Sequence, residues 1–154
     1  MKVLAETAGR ITVLAHRAFD KEERLQDLLE RYPGLVLAGT SDEEGRVIWT
    51  IGREVGVPSG SIDLLLLDST GHLWVVEAKL ATNAEVRKQV VGQVLAYASD
   101  VATWDREKLE EVANGYLGSR ATPTTLSDLL ADEVGEDEVE GIIDGAVAQP
   151  QGRT

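Results

Sequence analysis

Cysteine is absent from the 154-residue sequence, and histidine is limited to His16 and His72. Without cysteine the chain contains no disulfide, no thiolate-bound zinc and no cysteine nucleophile. Two histidines are too few for a histidine-rich metal centre, and both are expected at the surface. Any metal that binds must therefore be held mainly by oxygen atoms.

Long apolar runs are also missing. No stretch approaches the roughly 20 apolar residues that a membrane-spanning helix needs, and the longest candidate, Ile62–Leu67, is interrupted by Asp63. The first ten residues contain Glu6 and no long apolar stretch, which argues against a secretory signal. With 43% hydrophobic and 27% charged residues, the sequence predicts a cytoplasmic globular protein with no membrane partner.

Positive charge is scarce, and the formal net charge is −12. Residues 1–104 carry 15 acidic and 11 basic side chains, whereas residues 105–154 carry 12 acidic and 4 basic side chains. The first two thirds of the chain are therefore only mildly acidic. Phosphate binding relies on Lys and Arg, so we expect weak affinity for duplex nucleic acid from this chain alone.

Strand-forming residues occur in three neighbouring runs, which span residues 47–55, 61–67 and 72–80. The middle run shows almost no alternation of polar and apolar residues, which predicts a strand buried on both faces. A four-residue turn at 68–71 joins it to the third run, which indicates a β-hairpin. Two shorter runs are less distinct: 10–18 suits a strand or a helix lead-in, and 35–38 suits a short buried strand or a turn.

Helical spacing of apolar residues flanks these strands. The predicted helices cover residues 20–31, 84–104 and 105–116, and a further short helix ends at Leu130. The first helix is expected to begin at an Asp20 N-cap. This order predicts an α/β fold with a central mixed β-sheet flanked by helices and with extra C-terminal helices. We expect a single domain over 1–130, followed by an acidic, partly flexible segment over 131–154.

Three polar residues interrupt the apolar hairpin: Asp63, Glu77 and Lys79. A carboxylate inside so apolar a strand as that of Asp63 costs free energy unless something compensates it. Glu77 and Lys79 are two residues apart, so their side chains point to the same face of the sheet. Because Asp63 and Glu77 are about equally distant from the turn, the hairpin places them at neighbouring levels. The three side chains are therefore predicted to converge.

Their chemistry suits a divalent cation. Two close carboxylates, such as those of Asp63 and Glu77, repel each other, and a hard cation between them relieves the repulsion. Mg²⁺, or Mn²⁺ in its place, prefers oxygen ligands, and the carbonyl oxygen of Ala78 is a further candidate ligand. Lys79 is a candidate for orienting or deprotonating the attacking water, or for stabilising charge on phosphorus. Such a centre would hydrolyse phosphodiester bonds.

The run from Asp63 to Glu77-Ala78-Lys79 resembles the D-x(n)-E-x-K motif of the PD-(D/E)XK nuclease superfamily. The following helix contains Gln93 and Tyr97, which is similar to the QxxxY element of the RecB-like members. Over residues 20–104 the resemblance implies a restriction-endonuclease-like core. It also implies Mg²⁺- or Mn²⁺-dependent cleavage of DNA, with RNA less favoured, and catalytic roles for Gln93 and Tyr97.

The chain departs from the family pattern in two places. Ile62, not proline, precedes the aspartate, and no clear fifth core strand follows the predicted helix over 84–104. The first predicted helix resembles that of archaeal-type mismatch and branched-DNA endonucleases, in which a helix acid assists the metal site. The resemblance assigns that role to Glu22 first, with Glu23 and Gln26 as rivals.

Other interpretations stay open at this point. Asp63 and Lys79 also suit a structural ion pair, and Gln93 and Tyr97 suit the polar edge of an ordinary amphipathic helix. The whole chain also suits a catalytically weak, nuclease-like module for binding or assembly, or a nuclease gated by a partner or ligand. A homodimer is compatible with the sequence, with the helices after Trp104 as its candidate surface.

Overall fold

A computed structural model describes residues 3–14, 19–38, 45–80 and 84–148. Its strands are β1 (Val3–Thr7), β2 (Arg10–Leu14), β3 (Ile48–Val57), β4 (Gly60–Asp68) and β5 (Leu73–Val76). Its α-helices are α1 (Glu22–Arg31), α2 (Ala84–Val101), α3 (Arg106–Gly118), α4 (Leu126–Val134) and α5 (Glu136–Val147). A 3₁₀ helix, Pro33–Leu37, follows α1. The α/β class predicted from the sequence is confirmed.

The central sheet has three antiparallel strands in the order β3-β4-β5. The strands β1 and β2 form a separate antiparallel hairpin. The expectation of a mixed central sheet is wrong for the described residues. The physical reason is that the chain leaves β5 for α2 and then for further helices, so no described strand pairs in parallel with the sheet.

Strand β4 is buried on both faces, as its lack of alternation predicts. Leu64 and Leu66 are fully buried on the side of the sheet where the 3₁₀ helix packs. Leu65 and Leu67 are fully buried in the larger cluster, to which helices α2 to α5 contribute. Complete burial of one such side chain contributes about 1.5–3 kcal/mol, so β4 is held between two apolar layers.

Helix α1 begins two residues later than predicted. Lys21, not Asp20, occupies the N-cap position and makes no side-chain capping bond. Asp20 instead accepts a hydrogen bond from Arg24 at 3.0 Å, which removes it from the capping role. The stretch predicted as a short buried strand or turn is the 3₁₀ helix, which Pro33 favours at its first position.

A polar network anchors the end of α1 to the rest of the fold. The Glu30 carboxylate accepts hydrogen bonds from the Tyr116 hydroxyl at 2.8 Å and from Arg120 at 2.7 Å, and it pairs with Arg53. Burial alone would raise the pKa of Glu30, but the hydrogen bonds from Tyr116 and Arg53 outweigh it and lower the pKa. The network fixes α1 against β3 and α3.

Asp68 organises the turn between β4 and β5. Its side chain is fully buried and accepts hydrogen bonds from the Thr70 backbone at 2.9 Å, the His72 backbone at 3.1 Å and the Trp74 indole at 2.8 Å. Burial would raise the pKa of Asp68, but the bonds from Thr70 and Trp74 dominate and lower it. The His72 side chain is 71% exposed, which confirms its predicted surface position. The other histidine, His16, lies outside the described residues.

Helix α2 buries only part of its circumference. Tyr97 and Val101 lie in the core, whereas Val91 and Leu95 are 60% and 63% exposed. Its 18 residues make it the longest helix described. Of the helices in the described ranges, none has the length and apolar character needed to cross a bilayer.

The C-terminal helices extend past the predicted domain end at residue 130. Helix α4 begins at a Thr125 N-cap whose side chain accepts from the Asp128 backbone. Helix α5 contributes Val139, Ile142 and Ile143 to the main core. The segment predicted as acidic and partly flexible is therefore helical and packed through Val147, because its apolar residues recur at helical spacing among the acids. Residues 149–154 lie outside the described ranges.

Candidate metal centre

The register of the β4–β5 hairpin brings Asp63 and Glu77 together. Leu64 is paired with Val76, so the next position places Asp63 opposite Glu77. The ladder stops there, because the Asp63 carboxylate accepts the Ala78 backbone N–H at 2.8 Å. Strand β5 is therefore shorter than the predicted strand over 72–80, and the residues after it are held by the carboxylate.

Glu77 is a buried acid whose hydrogen bonding is incomplete. Its side chain is only 3% exposed, and its Oε2 atom has no hydrogen-bond partner among the described residues. Burial raises the pKa of Glu77 and the charge of Asp63 raises it further, whereas Lys79 and the backbone N–H of Asp63 act in the opposite direction. A buried carboxylate oxygen without a donor is costly, and a cation beside it would remove that cost.

Asp63 experiences the same kind of environment. Burial raises the pKa of Asp63, while the hydrogen bond from Ala78 and the charge of Lys79 act against the rise. The negative charges of Glu54 and Glu22 also raise the pKa of Asp63. Several carboxylates thus act on one small volume, and the electrostatic potential there favours a positive ion.

Lys79 pairs with two of these acids. Its Nζ atom lies 3.3 Å from Glu77 Oε1 and 3.3 Å from Glu22 Oε2. Burial would lower the pKa of Lys79, but the hydrogen bonds to Glu22 and Glu77 raise it above its ordinary value. The side chain is therefore an ammonium ion at neutral pH. Its partners are Glu22 and Glu77, so the simple Asp63–Lys79 ion pair is not the arrangement found.

Glu22 is the helix acid that reaches the hairpin. Besides Lys79, it contacts the backbone of Leu80, whose N–H donates to Glu22 Oε1 at 3.2 Å. Its position at the start of α1 makes this reach possible. Of the two rivals, Glu23 is exposed. Gln26 is buried, and its Nε2 atom donates a hydrogen bond to the backbone carbonyl oxygen of Asp63 at 3.1 Å.

Glu54 is a site residue that sequence reasoning missed. Its Oε1 atom accepts a hydrogen bond from Gln26 Nε2 at 2.6 Å, and its Oε2 atom accepts one from Ser61 Oγ at 3.3 Å. Glu54 has a φ of 49°, in the left-handed region. A register shift in β3 between Thr50 and Gly52 precedes it. After such a shift, the alternation of polar and apolar residues no longer shows to which face a side chain points. The sequence signal for the shift is Gly52, because a glycine inside a strand often marks a bulge.

Gln93 and Tyr97 contact each other, and Tyr97 contacts the start of β4. Gln93 Nε2 donates to the Tyr97 hydroxyl at 3.0 Å. Tyr97 is buried over Gly60, where an added Cβ would lie 2.8 Å from the hydroxyl oxygen. Gly60 precedes Asp63 by three residues, about 10 Å along the strand. In the described part of the chain no polar contact joins this pair to Asp63, Glu77 or Lys79, and its direct effect is to support the β3–β4 hairpin.

The donor set matches one kind of metal better than others. Among the described residues, no group of three histidine, cysteine or acidic side chains is arranged to enclose a metal ion. Mg²⁺ does not require such a cage, because it binds through one or two carboxylates and keeps several waters. Asp63 and the unpartnered Glu77 oxygen fit that requirement, whereas a site for a soft metal would need sulfur or nitrogen ligands.

No protein-family model matches the chain, and no match is found among curated proteins or among solved structures. The function of the centre must therefore be inferred from its own residues.

Proposed function

We propose that the chain is a Mg²⁺- or Mn²⁺-dependent nuclease that hydrolyses phosphodiester bonds of DNA, with RNA as the less favoured substrate. The observation that carries the proposal is the convergence of Asp63, Glu77 and Lys79 at the base of one hairpin, where no described residue donates a hydrogen bond to the buried Oε2 atom of Glu77. The ion pair with Lys79 accounts for the Oε1 atom of Glu77, and a bound cation would supply a partner for its Oε2 atom.

The chain's own residues would divide the work as follows. Asp63 and Glu77 would hold the cation, with the Ala78 carbonyl oxygen as a further ligand. When bound, the cation would polarise the phosphate and make a bound water more acidic. Lys79 carries a full positive charge, which suits it to hold a phosphate oxygen and to oppose charge developing there. An ammonium ion has no lone pair to accept a proton, so its charge supports this role over that of a base.

Glu22 would orient Lys79 rather than contact the substrate directly. Its two oxygens bind Lys79 Nζ and the Leu80 N–H at the same time, which fixes the lysine relative to the hairpin. When a cation takes over the pairing of Glu77, Glu22 remains as the partner of Lys79. This arrangement keeps the ammonium ion close to the phosphate that it would neutralise.

The order of elements supports a restriction-endonuclease-like core. Helix α1, strands β3 to β5 and helix α2 follow one another as the family resemblance requires; Asp63 lies in β4, and Glu77 directly follows β5. The described chain departs from that core after α2, where helices α3 to α5 follow in place of a further strand. Gln93 and Tyr97 then serve as support for the hairpin.

DNA binding would depend on a limited set of positive charges. Arg87 and Lys88 are exposed near the start of α2, shortly after Lys79 in the chain. The net charge of −12 opposes approach of a polyanion, so we expect weak and strongly salt-dependent binding. A homodimer would add a second set of these charges, and light scattering after gel filtration tests for it.

A cleavage assay tests the proposal. Single-stranded, double-stranded, branched and mismatched DNA are incubated with Mn²⁺ or Mg²⁺, and with EDTA as the metal-free control. We expect metal-dependent cleavage by the wild type and none by Glu77→Ala or Lys79→Ala, while circular dichroism shows both variants folded. Full activity in both variants would contradict the assignment.

A second candidate is a nuclease-like module for binding or assembly that does not cut. The acidic surface favours it, since 12 of the 27 acidic residues lie in the 50 positions from 105 to 154 with only 4 basic ones. Calorimetric titration separates the two candidates. Absence of Mg²⁺ and Mn²⁺ binding would favour the module. A nuclease gated by a partner or ligand would bind the metal and remain inactive alone.

A further inference from the structure

The backbone at Glu54 is unusual for a residue with a side chain. Its φ of 49° lies in the left-handed region, which disfavours residues that carry a Cβ. The two nearest glycines in the same strand, Gly52 and Gly56, do not have a positive φ. The left-handed conformation therefore falls on an acidic residue and not on either of the two glycines that lie two positions away. Such a residue is a reason to look for a function.

The Glu54 side chain points toward the candidate centre. Its Oε1 atom lies 2.6 Å from Gln26 Nε2, and the same nitrogen lies 3.1 Å from the Asp63 carbonyl oxygen. One amide group thus bridges the acid and the backbone of the strand that carries Asp63. In the β3–β4 ladder Arg53 pairs with Leu64 and Val55 pairs with Ile62, so Glu54 lies at the same level as Asp63.

Gln26 is the one residue of α1 that is buried. A leucine would bury a similar volume without needing hydrogen-bond partners, and the neighbours Leu25, Leu28 and Leu29 show that this helix otherwise uses leucine on its packed side. The amide is therefore explained by its two acceptors. It links the helix that carries Glu22 to the strand that carries Asp63.

We propose that Glu54 is a positioning residue of the metal centre, which acts through Gln26 to fix Asp63 and adds negative charge that draws the cation to Asp63 and Glu77. The inference rests on the proposed function and deepens it. Glu54 does not need to contact the metal: groups that hold ligands in place commonly change metal affinity or activity by about 10- to 100-fold.

Three substitutions separate the parts of this role. Glu54→Gln removes the charge and keeps an acceptor for the Gln26 amide. Gln26→Leu removes the bridge and keeps the charge. Glu54→Gly removes both and also relieves the left-handed backbone. Glu107→Gln, at an exposed position of α3, removes the same charge elsewhere and serves as the matched control.

The measurement is calorimetric titration of each full-length chain with Mn²⁺ and with Mg²⁺, in the absence of DNA, together with thermal unfolding in EDTA. We expect Glu54→Gln and Gln26→Leu each to weaken Mn²⁺ binding by about 10-fold or more, and Glu107→Gln to bind as the wild type does. Glu54→Gly should bind Mn²⁺ more weakly while unfolding at the wild-type temperature or higher. If Glu54 only stabilised the fold, its replacement would lower the Mn²⁺ affinity and the unfolding temperature together.

Wild-type Mn²⁺ affinity in either Glu54→Gln or Gln26→Leu overturns the inference and leaves the proposed function intact. Equal weakening by Glu107→Gln also overturns it, because the effect would then come from net charge alone. If the wild type itself binds neither ion, the proposed function fails and this inference fails with it. The wild-type titration, which comes before any variant, distinguishes the two kinds of failure.

Discussion

Replacing Glu77 by glutamine should make the metal-free protein more stable, although it removes a residue central to the proposed function. In the wild type, burial disfavours the negative charge of Glu77 and raises its pKa; the neutral amide of glutamine keeps a polar atom at the Oε2 position but avoids this charge-burial cost, which is about 1–2 kcal/mol. The substitution also removes repulsion from Asp63. It weakens the ion pair with Lys79, but Lys79 is 33% exposed and keeps Glu22, so that loss is about 0–1 kcal/mol.

The balance favours the Glu77→Gln variant by about 1 kcal/mol in EDTA, which corresponds to a rise of about 2–4 °C in Tm for a chain of this size. Saturating metal should reverse the order. At ten times its Kd, a ligand that binds only the folded state stabilises it by about 1.4 kcal/mol. The wild type gains that amount, and the variant gains none.

The pH dependence gives an independent check. Because the folded-state pKa of Glu77 is raised above its ordinary value of 4.5, the native state binds this proton more tightly than the unfolded chain does. The contribution to stability is therefore fully present below pH 4.5 and is lost as the pH rises through the folded pKa. The difference in unfolding free energy between Glu77→Gln and the wild type should grow over that window.

Urea unfolding in EDTA and in excess Mg²⁺, at several pH values, measures all three effects. Glu107→Gln is again the charge-matched control and should behave as the wild type does. If Glu77→Gln is less stable than the wild type in EDTA, and if Mg²⁺ does not stabilise the wild type, two inferences are refuted: that the Glu77 carboxylate destabilises the metal-free fold, and that it binds a cation.

Three further predictions concern the scaffold. Asp68→Asn should destabilise the fold by about 1.5–3 kcal/mol in urea at pH 7; since the folded pKa of Asp68 is lowered from 3.8, this stability is present above that pH and is lost as the pH falls through the folded pKa. Gly60→Ala should destabilise by about 1–3 kcal/mol, because its φ is +148° and the new Cβ would lie 2.8 Å from the Tyr97 hydroxyl; wild-type stability of this variant in urea would contradict the contact. Glu30→Gln should lower the pKa of the Tyr116 phenol toward 10.0, since burial and Glu30 together raise it; an unchanged ultraviolet titration would show that burial acts alone.

The parts of the fold that follow from local patterns were predictable. Lack of alternation in β4 correctly indicated burial on both faces, because a strand with apolar residues on both sides needs two apolar layers. The hairpin at 68–71 was predictable for the same reason, since a short polar turn between two apolar runs leaves few other arrangements. The convergence of Asp63 and Glu77 follows from that hairpin register.

The parts that depend on distant contacts were not predictable. Helix α5 packs through Val139, Ile142 and Ile143, yet its acids dominate the composition and suggest a solvated segment. The polar network that anchors α1 was unpredictable for the same reason, because the sequence does not show that Glu30 contacts Arg120, which lies 90 positions later. These outcomes are set by which faces meet in the folded chain.

The candidate site divides along the same line. Glu77 and Lys79 were placed together by the period-two alternation of the predicted strand over 72–80, although β5 ends at Val76. Glu54 becomes part of the site only through a register shift, a left-handed backbone and an amide from helix α1. Each of these features has an energetic cost or a packing penalty that a purely structural strand would avoid. They occur beside the buried Glu77 carboxylate, whose Oε2 atom has no partner among the described residues, and a centre kept for binding a cation would require this, because stability is given up there in exchange for charge held in place.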